Sequence, residues 1–274
     1  MEKIVPDIKL IATDMDGTLL NTKGELGPTF FTVFSQLKNQ GILFAAASGR
    51  QFFNLQKRFD LIKDEMIFIA ENGSYVVYKE TELLVQDLPA DTVKELIQIA
   101  RTIPNTFPII CGKKRAYIET SDPELVNRLR LYFERFEIVN DLLDVKDDQF
   151  LKVTVCDLSG SEKNSYPYFQ HLSDALQVKV SGPIWLDMSH KLADKGRALN
   201  VVQAHFGVTF DQTMVFGDYL NDLEMMQQAH HSYAMANAHP DVKKVAQFTA
   251  KSNDENGVLE VISEFLDQTA DLTA

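Results

Sequence analysis

The sequence predicts an α/β protein with a doubly wound, parallel-sheet core into which a second, α+β unit is inserted. Three observations carry this reading. Short apolar runs alternate with amphipathic segments over the first third of the chain, the rhythm changes from about Ser74, and it returns after about Ile184. A βα pattern that stops, admits residues of another type and resumes is that of one domain interrupted by another. The 274 residues are enough for both and for a substantial core. The core is expected over residues 1–83 and 184–274, the inserted unit over 84–183.

In chain order, "IKLIATD" is a buried strand by its apolar and β-branched run, "PTFFTVFSQLKNQG" a helix with Pro28 near its start and Gly41 at its end, and "ILFAAAS" a second strand. "RQFFNLQKRF" follows as helix and "MIFIAENG" as strand. Strand–helix–strand repeats of this kind imply right-handed crossovers and a parallel sheet. "SYVVYKETELLVQDL" then reads as two strands joined by a polar turn. In the inserted unit "DTVKELIQIART" and "PELVNRLRLYFERF" are amphipathic helices, while "AYIET", "LKVTVCDL" and "VKVSGPIWLDM" are each read as a strand. The returning pattern runs "KGRALNVVQAHFG" helix, "TMVFGD" strand, "NDLEMMQQA" helix, and continues through "HSYAMAN", "PDVKKVA", "QFTAK" and "GVLEVISEFL".

Composition narrows the function. With 45% hydrophobic and 24% charged residues the chain is an ordinary globular one. Its formal charge of −12 repels phosphate-rich surfaces, which argues against nucleic acid and anionic membrane as partners. An anionic substrate then needs local cations or a metal. "MEKIVPDIKL" has no basic segment leading into an apolar one, and no later apolar run approaches the roughly 20 residues of a membrane span, so a cytoplasmic location is expected. Cys111 and Cys156 sit in strand-like runs without metal-ligand spacing and read as buried free thiols.

The chemistry concentrates in "TDMDGTLL". In a doubly wound sheet ligands bind beyond the carboxyl ends of the strands, and Asp14 stands at such an end. Residues i and i+2 of an extended strand point the same way, so Asp14 and Asp16 are expected to face one site, with Gly17 permitting a tight turn after them. The amides of residues 15 to 18 are then placed to meet an anion. Two adjacent carboxylates are costly unless a cation neutralises them or one holds a proton, and both remedies suit phosphoryl transfer. "AAASGR" sets Ser48 after the second strand. "DKGRAL" puts Lys195 at a helix start, where a cation opposes the macrodipole and suggests an anionic neighbour. "MVFGDYLNDLEMM" ends another buried strand with Asp218, with Asp222 four residues on, as a hard-cation site requires.

These four segments, in this order, resemble the motifs of the haloacid dehalogenase superfamily. The inserted unit, with "AENGS" before it and "MANAHPDVKKVA" after it, resembles that of the Cof-type hydrolases. The likeness covers about residues 8 to 83 and 184 to 265 and is weak across the insertion. It implies a Rossmann-like core with an inserted α+β cap that sets specificity, and a magnesium-dependent phosphomonoester hydrolase acting on a small phosphorylated metabolite such as a sugar phosphate. By position it makes Asp14 the nucleophile that forms an aspartyl-phosphate, Asp16 the acid/base, Ser48 the phosphate-holding hydroxyl and Lys195 the charge-neutralising cation. Mg²⁺ is implied at the Asp14 carboxylate, the Asp16 backbone carbonyl and Asp218, with Asp222 supporting from behind. Met15, Gly17, Ser48, Gly49, Arg50, Asn72, Lys195 and Asn221 become the expected phosphate or substrate contacts, Asn221 either on the phosphate or fixing Lys195. A phosphohexomutase of the same superfamily and a non-catalytic sensor of a phosphorylated metabolite are the rival readings, and a monomer or small homo-oligomer is expected. Tyr219 and Ala236 depart from the family pattern; the first is expected to narrow the site mouth or stack on a substrate ring.

Remaining candidates are weaker. Lys113, Lys114 and Arg115 read as a solvated hairpin turn, and His230, His231 and His239 fit no metal spacing. Asn72 of "AENGS" either meets substrate or holds a turn with Gly73.

Overall fold

The computed structural model describes residues 6–273. In chain order it contains β1 (Leu10–Thr13), α1 (Phe30–Asn39), β2 (Leu43–Ala47), α2 (Phe52–Arg58), β3 (Ile67–Ala70), β4 (Tyr75–Tyr78), β5 (Thr81–Val85), α3 (Ala90–Ala100), β6 (Thr106–Gly112), β7 (Ala116–Ile118), α4 (Pro123–Leu129) and β8 (Phe136–Ile138). There follow β9 (Phe150–Asp157), α5 (Tyr166–Phe169), β10 (Leu176–Gly182), β11 (Trp185–His190), α6 (Lys195–Phe206), β12 (Thr213–Gly217), α7 (Leu223–Met226), β13 (His231–Met235), α8 (Pro240–Val245), β14 (Phe248–Ala250) and α9 (Gly257–Thr273).

The first sheet runs β14-β13-β12-β1-β2-β3-β4-β5, parallel from β14 to β3 and antiparallel at β4 and β5. Its central strands are buried on both faces, which is why they read as unbroken apolar runs. Helix α1 buries Phe30, Val33, Phe34 and Leu37, the i, i+3, i+4, i+7 stripe of an amphipathic helix. Those phenylalanines pack against Phe44 and Phe59 at ring distances of 5.5–6.0 Å; burial of each such ring contributes about 1.5–3 kcal/mol. Chain order reverses on either side of β1, so the crevice of a doubly wound sheet opens at its carboxyl end.

The second sheet runs β10-β11-β9-β6-β7-β8 and is antiparallel except for β7 and β8. One face packs on α3, which buries Val93, Leu96, Ile97 and Ala100. The other face carries Leu125, Leu129 and Phe133 of α4 and the turn after it and extends over the carboxyl end of the first sheet.

The structure differs from expectation at four places. "VKVSGPIWLDM" is the hairpin of β10 and β11, not one strand. Pro183 lacks an N–H for the ladder, and the chain reverses at Gly182–Ile184. The expected limit at residue 184 falls inside this hairpin, whereas hydrogen bonding keeps β11 in the second sheet as far as His190. The helix expected over residues 123–136 stops at Leu129, and that expected over residues 221–229 is a 3₁₀ turn followed by the four residues of α7. Cys111 and Cys156 are buried and free, as expected. Among the described residues no helix is long and apolar enough to cross a membrane.

Candidate active site

Each chemically interesting residue of the core follows directly on a strand end or opens a helix. Asp14 follows β1, and its amide continues the ladder by donating to the Phe216 carbonyl at 2.9 Å. Ser48 follows β2, Glu71 and Asn72 follow β3, Asp218 follows β12, and Lys195 opens α6, whose N-cap Asp194 accepts from the Arg197 amide at 2.7 Å.

Lys195 is fully buried, and its ammonium donates to Asp14 Oδ1 at 2.5 Å and to Asp222 Oδ1 at 2.7 Å. Burial would discharge it, but the two carboxylates hold its pKa above the ordinary lysine value. The other oxygen of Asp222 accepts from the amides of Asp218 and Tyr219, each at 3.0 Å, so this side chain is saturated by the structure around it. Asp218 accepts from the Thr18 hydroxyl at 2.8 Å. Burial and then the nearby Asp222 charge push its pKa up to about 7, against the lowering effect of Thr18. Burial likewise holds Asp14 well above the usual carboxylate range although Lys195 opposes it.

One oxygen each of Asp14, Asp218 and Asp222 lies within 4.8 Å of the others. Three carboxylates therefore crowd around one ammonium, which bonds Asp14 and Asp222 and leaves Asp218 without a cation among the described residues, and oxygens are the donors a hard divalent cation takes. Gly17 fits this cluster. Its φ of +80° favours glycine, and a Cβ there would overlap the Asp218 carboxylate.

The expectation that strand alternation turns Asp14 and Asp16 the same way is corrected. β1 ends at Thr13 and residues 15–18 turn tightly, so the strand alternation does not reach Asp16. Asp14 points into the buried cluster. Asp16, with 47% of its side chain exposed, is gripped by Arg50 Nε and Nη2 at 2.6 Å each. Both still line one cavity of about 470 Å³, together with Ser48, Gly49, Arg50, Asp218, Tyr219 and Asn221. The Met15 side chain is in the apolar core, so only its backbone can meet a ligand.

Arg50 is more committed than expected. Besides Asp16 it donates through Nη1 to Asn54 Oδ1 at 2.9 Å and to the Leu131 carbonyl of the second unit at 2.7 Å, and it lies 4.9 Å from the Tyr132 ring centroid. Asn72, at φ 56°, donates to Asp187 Oδ2 at 2.5 Å and accepts from Asn221 Nδ2 at 3.0 Å. It pins the turn after β3 to the second sheet. The Asn221 amide is thus turned to Asn72; Lys195 is held by Asp14 and Asp222. Ser48 is buried at the cavity edge, its Oγ accepting from the Arg50 amide at 3.2 Å. The Gly49 carbonyl accepts from Lys152 Nζ at 2.7 Å, and a Cβ on Gly49 would lie 2.9 Å from Asn72 Oδ1.

Sequence reasoning missed the contribution of the second sheet. Lys152 of β9 is buried against Glu71 at 3.1 Å and Asp187 of β11 at 3.3 Å, and Thr154 donates to Asp187 Oδ1 at 2.6 Å. Lys152, Thr154 and Asp187 all line the cavity. The signal was a charge at alternate positions of otherwise apolar strands, "LKVTV" and "WLDMS", which buries an ion unless it is paired. Lys113 and Arg115 pair with Glu82 and Glu137 on the β6–β7 turn, as a solvated turn should. The acidic trio is the group of potential metal ligands found among the described residues, and no histidine joins it.

Carboxylates and a buried lysine gathered at the carboxyl end of a parallel sheet, beneath a second unit that encloses a small cavity, define an enzyme of phosphate-ester chemistry. The chain belongs to the haloacid dehalogenase-like hydrolase family, which it matches over residues 11–262, and it is a hydrolase of phosphoric monoesters. It is 34% identical, over 96% of its length and 98% of the relative's, to the 5-amino-6-(5-phospho-D-ribitylamino)uracil phosphatase YbjI of Escherichia coli strain K12. An HMP-PP phosphatase of Escherichia coli strain 55989 is 28% identical over 86% of each chain. The solved structure of SMU.1108c from Streptococcus mutans UA159 superposes with a TM-score of 0.87 at 33% identity, over 95% of this chain and 99% of that one.

Proposed function

We propose that the protein is a magnesium-dependent phosphatase that releases phosphate from small phosphorylated metabolites through an aspartyl-phosphate on Asp14. The observation that carries this reading is the buried Lys195 bridging Asp14 and Asp222, with Asp218 beside them, on the floor of a cavity that also holds Asp16. The named substrates of the two phosphatases above, a phosphorylated ribitylaminouracil and HMP-PP, support a small metabolite.

A free oxygen of Asp14 attacks phosphorus as the bond to the leaving oxygen breaks, and Asp16, once protonated and released from Arg50, gives that oxygen a proton. Water then attacks the phosphorus, Asp16 takes a proton from it, and the bond to Asp14 breaks to free inorganic phosphate and restore the carboxylate. Lys195 remains charged throughout and offsets the negative charge gathered beside Asp14. Ser48, at the end of β2, is placed to donate its hydroxyl to a phosphate oxygen. Asp14 and Asp218, with the Asp16 backbone carbonyl, would hold Mg²⁺, which supplies Lewis-acid neutralisation of the phosphoryl oxygens. Asp222 would act from behind by fixing Lys195 and the Asp218–Tyr219 backbone. The second unit serves as the cap over the site.

The test is phosphate release from a panel of sugar phosphates, nucleotides and phosphorylated cofactors with Mg²⁺ and with EDTA. EDTA-sensitive free phosphate is expected. No release from any ester would refute the reading, and conversion of hexose 1-phosphate to 6-phosphate without release would replace it by a mutase.

A further inference from the structure

The face of the second sheet that covers the carboxylates is graded. Residues alternate along β11, so Leu186 and Met188 enter the apolar core under α3, while Trp185, Asp187 and Ser189 share the opposite face. Across the ladder β9 sets Cys156, Thr154 and Lys152 against them. Asp187 sits in the polar network over the core, and Trp185 follows about 7 Å further along the strand. Trp185 pairs with Gly182 at an irregularity of the hairpin register, and a Cβ on Gly182 would lie 3.0 Å from Trp185 Cδ1, so glycine leaves room for the indole. The Trp185 and Tyr132 rings meet edge to face, 4.9 Å apart at 65°. Both line the cavity that holds Asp14 and Ser48. Among the described residues, neither the indole N–H nor the Tyr132 hydroxyl has a protein hydrogen-bond partner. The cavity volume of about 470 Å³ lies in the range of about 300–1,000 Å³ that takes an organic ligand, whereas a phosphoryl group on Asp14 occupies only its floor.

We propose that Trp185, with Tyr132 packed against it edge to face and Arg50 already lying over the Tyr132 ring, forms a subsite for a planar ring on the leaving group. The aromatic corner takes the ring, beside a polar network in which Thr154, Asn72 and Lys152 already satisfy Asp187. This rests on the phosphatase reading for the place of the phosphate.

Uridine 5′-monophosphate and ribose 5-phosphate share the phosphate and the sugar and differ by the ring. Trp185 is the single tryptophan of the chain, so its fluorescence reports the subsite directly in the full-length Asp14→Asn protein with Mg²⁺, where turnover is blocked. A saturable quench by uridine 5′-monophosphate is expected, with calorimetric affinity at least about tenfold tighter than for ribose 5-phosphate, the scale of one base–aromatic stack. Trp185→Leu, which keeps apolar bulk without the planar face, should remove that preference, and Trp185→Phe should restore most of it. Equal affinity for the two esters, or an unchanged preference in Trp185→Leu, would overturn the proposal. Phosphate release is read separately, so the subsite and the phosphatase reading fail independently.

Discussion

Asp218→Asn tests whether the acidic cluster is built for a cation. In the metal-free protein burial and Asp222 push the Asp218 pKa up to about 7, about 3 units above an unfolded aspartate. The native state therefore holds a proton that the unfolded state gives up between about pH 4 and pH 7. Stability falls as pH rises across that window, and the loss is complete above it. At 1.36 kcal/mol per unit the full cost is about 4 kcal/mol at pH 8 and about 1.5 kcal/mol at pH 5. Discounted by half for partial exposure, since solvent screens such interactions, it is roughly 2 kcal/mol at pH 8. Asn keeps the shape, still accepts from Thr18 and never ionises. Metal-free Asp218→Asn should thus melt on the order of 5 °C above the metal-free parent at pH 8, and only about 2 °C above it at pH 5. Adding Mg²⁺ should reverse the order at pH 8, because the parent gains a ligand and the variant has lost a carboxylate that would hold it. Calorimetric melts with EDTA and with Mg²⁺ at both pH values provide the measurement. A variant no more stable than the parent at pH 8 without metal, or equally stabilised at both pH values, would refute the reasoning.

Asp14→Asn should lower phosphate release by at least about a thousandfold with an unchanged circular dichroism spectrum; retained turnover would assign the nucleophile elsewhere. Lys195→Met leaves Asp14 and Asp222 buried without their cation, so urea unfolding at pH 8 without metal should show a loss of about 3–5 kcal/mol. Gly17→Ala combines a left-handed backbone with overlap on Asp218. Mg²⁺ titration calorimetry should find its affinity reduced at least about tenfold, while a distant left-handed glycine such as Gly41, with nothing near its missing Cβ, should tolerate alanine without change in that affinity.

How much was legible follows from where each partner lies in the chain. Asp14, Ser48 and Asp218 were readable because each ends an apolar run that is buried on both faces, and the parallel order of those runs converges their ends on one crevice. Lys195 was readable from a local contradiction, a cation at a helix start, which Asp14 and Asp222 resolve in space. What was not legible depends on pairings between distant segments. Nothing near Asp16 says that Arg50, 34 residues on, will take both its oxygens, nor that the same guanidinium will reach the Leu131 carbonyl. The second sheet was harder still. Its order, β10-β11-β9-β6, sets Lys152 and Asp187 side by side across a gap of 35 residues, and one unrecognised turn at Pro183 hid the strand that carries both Asp187 and Trp185. Once that hairpin is drawn, the period-2 pattern of "WLDMS" separates its two faces without further information. The candidate site was therefore written locally, at strand ends, whereas the proposed ring subsite was written in the register of an antiparallel sheet, which a single sequence specifies only through contacts it does not display.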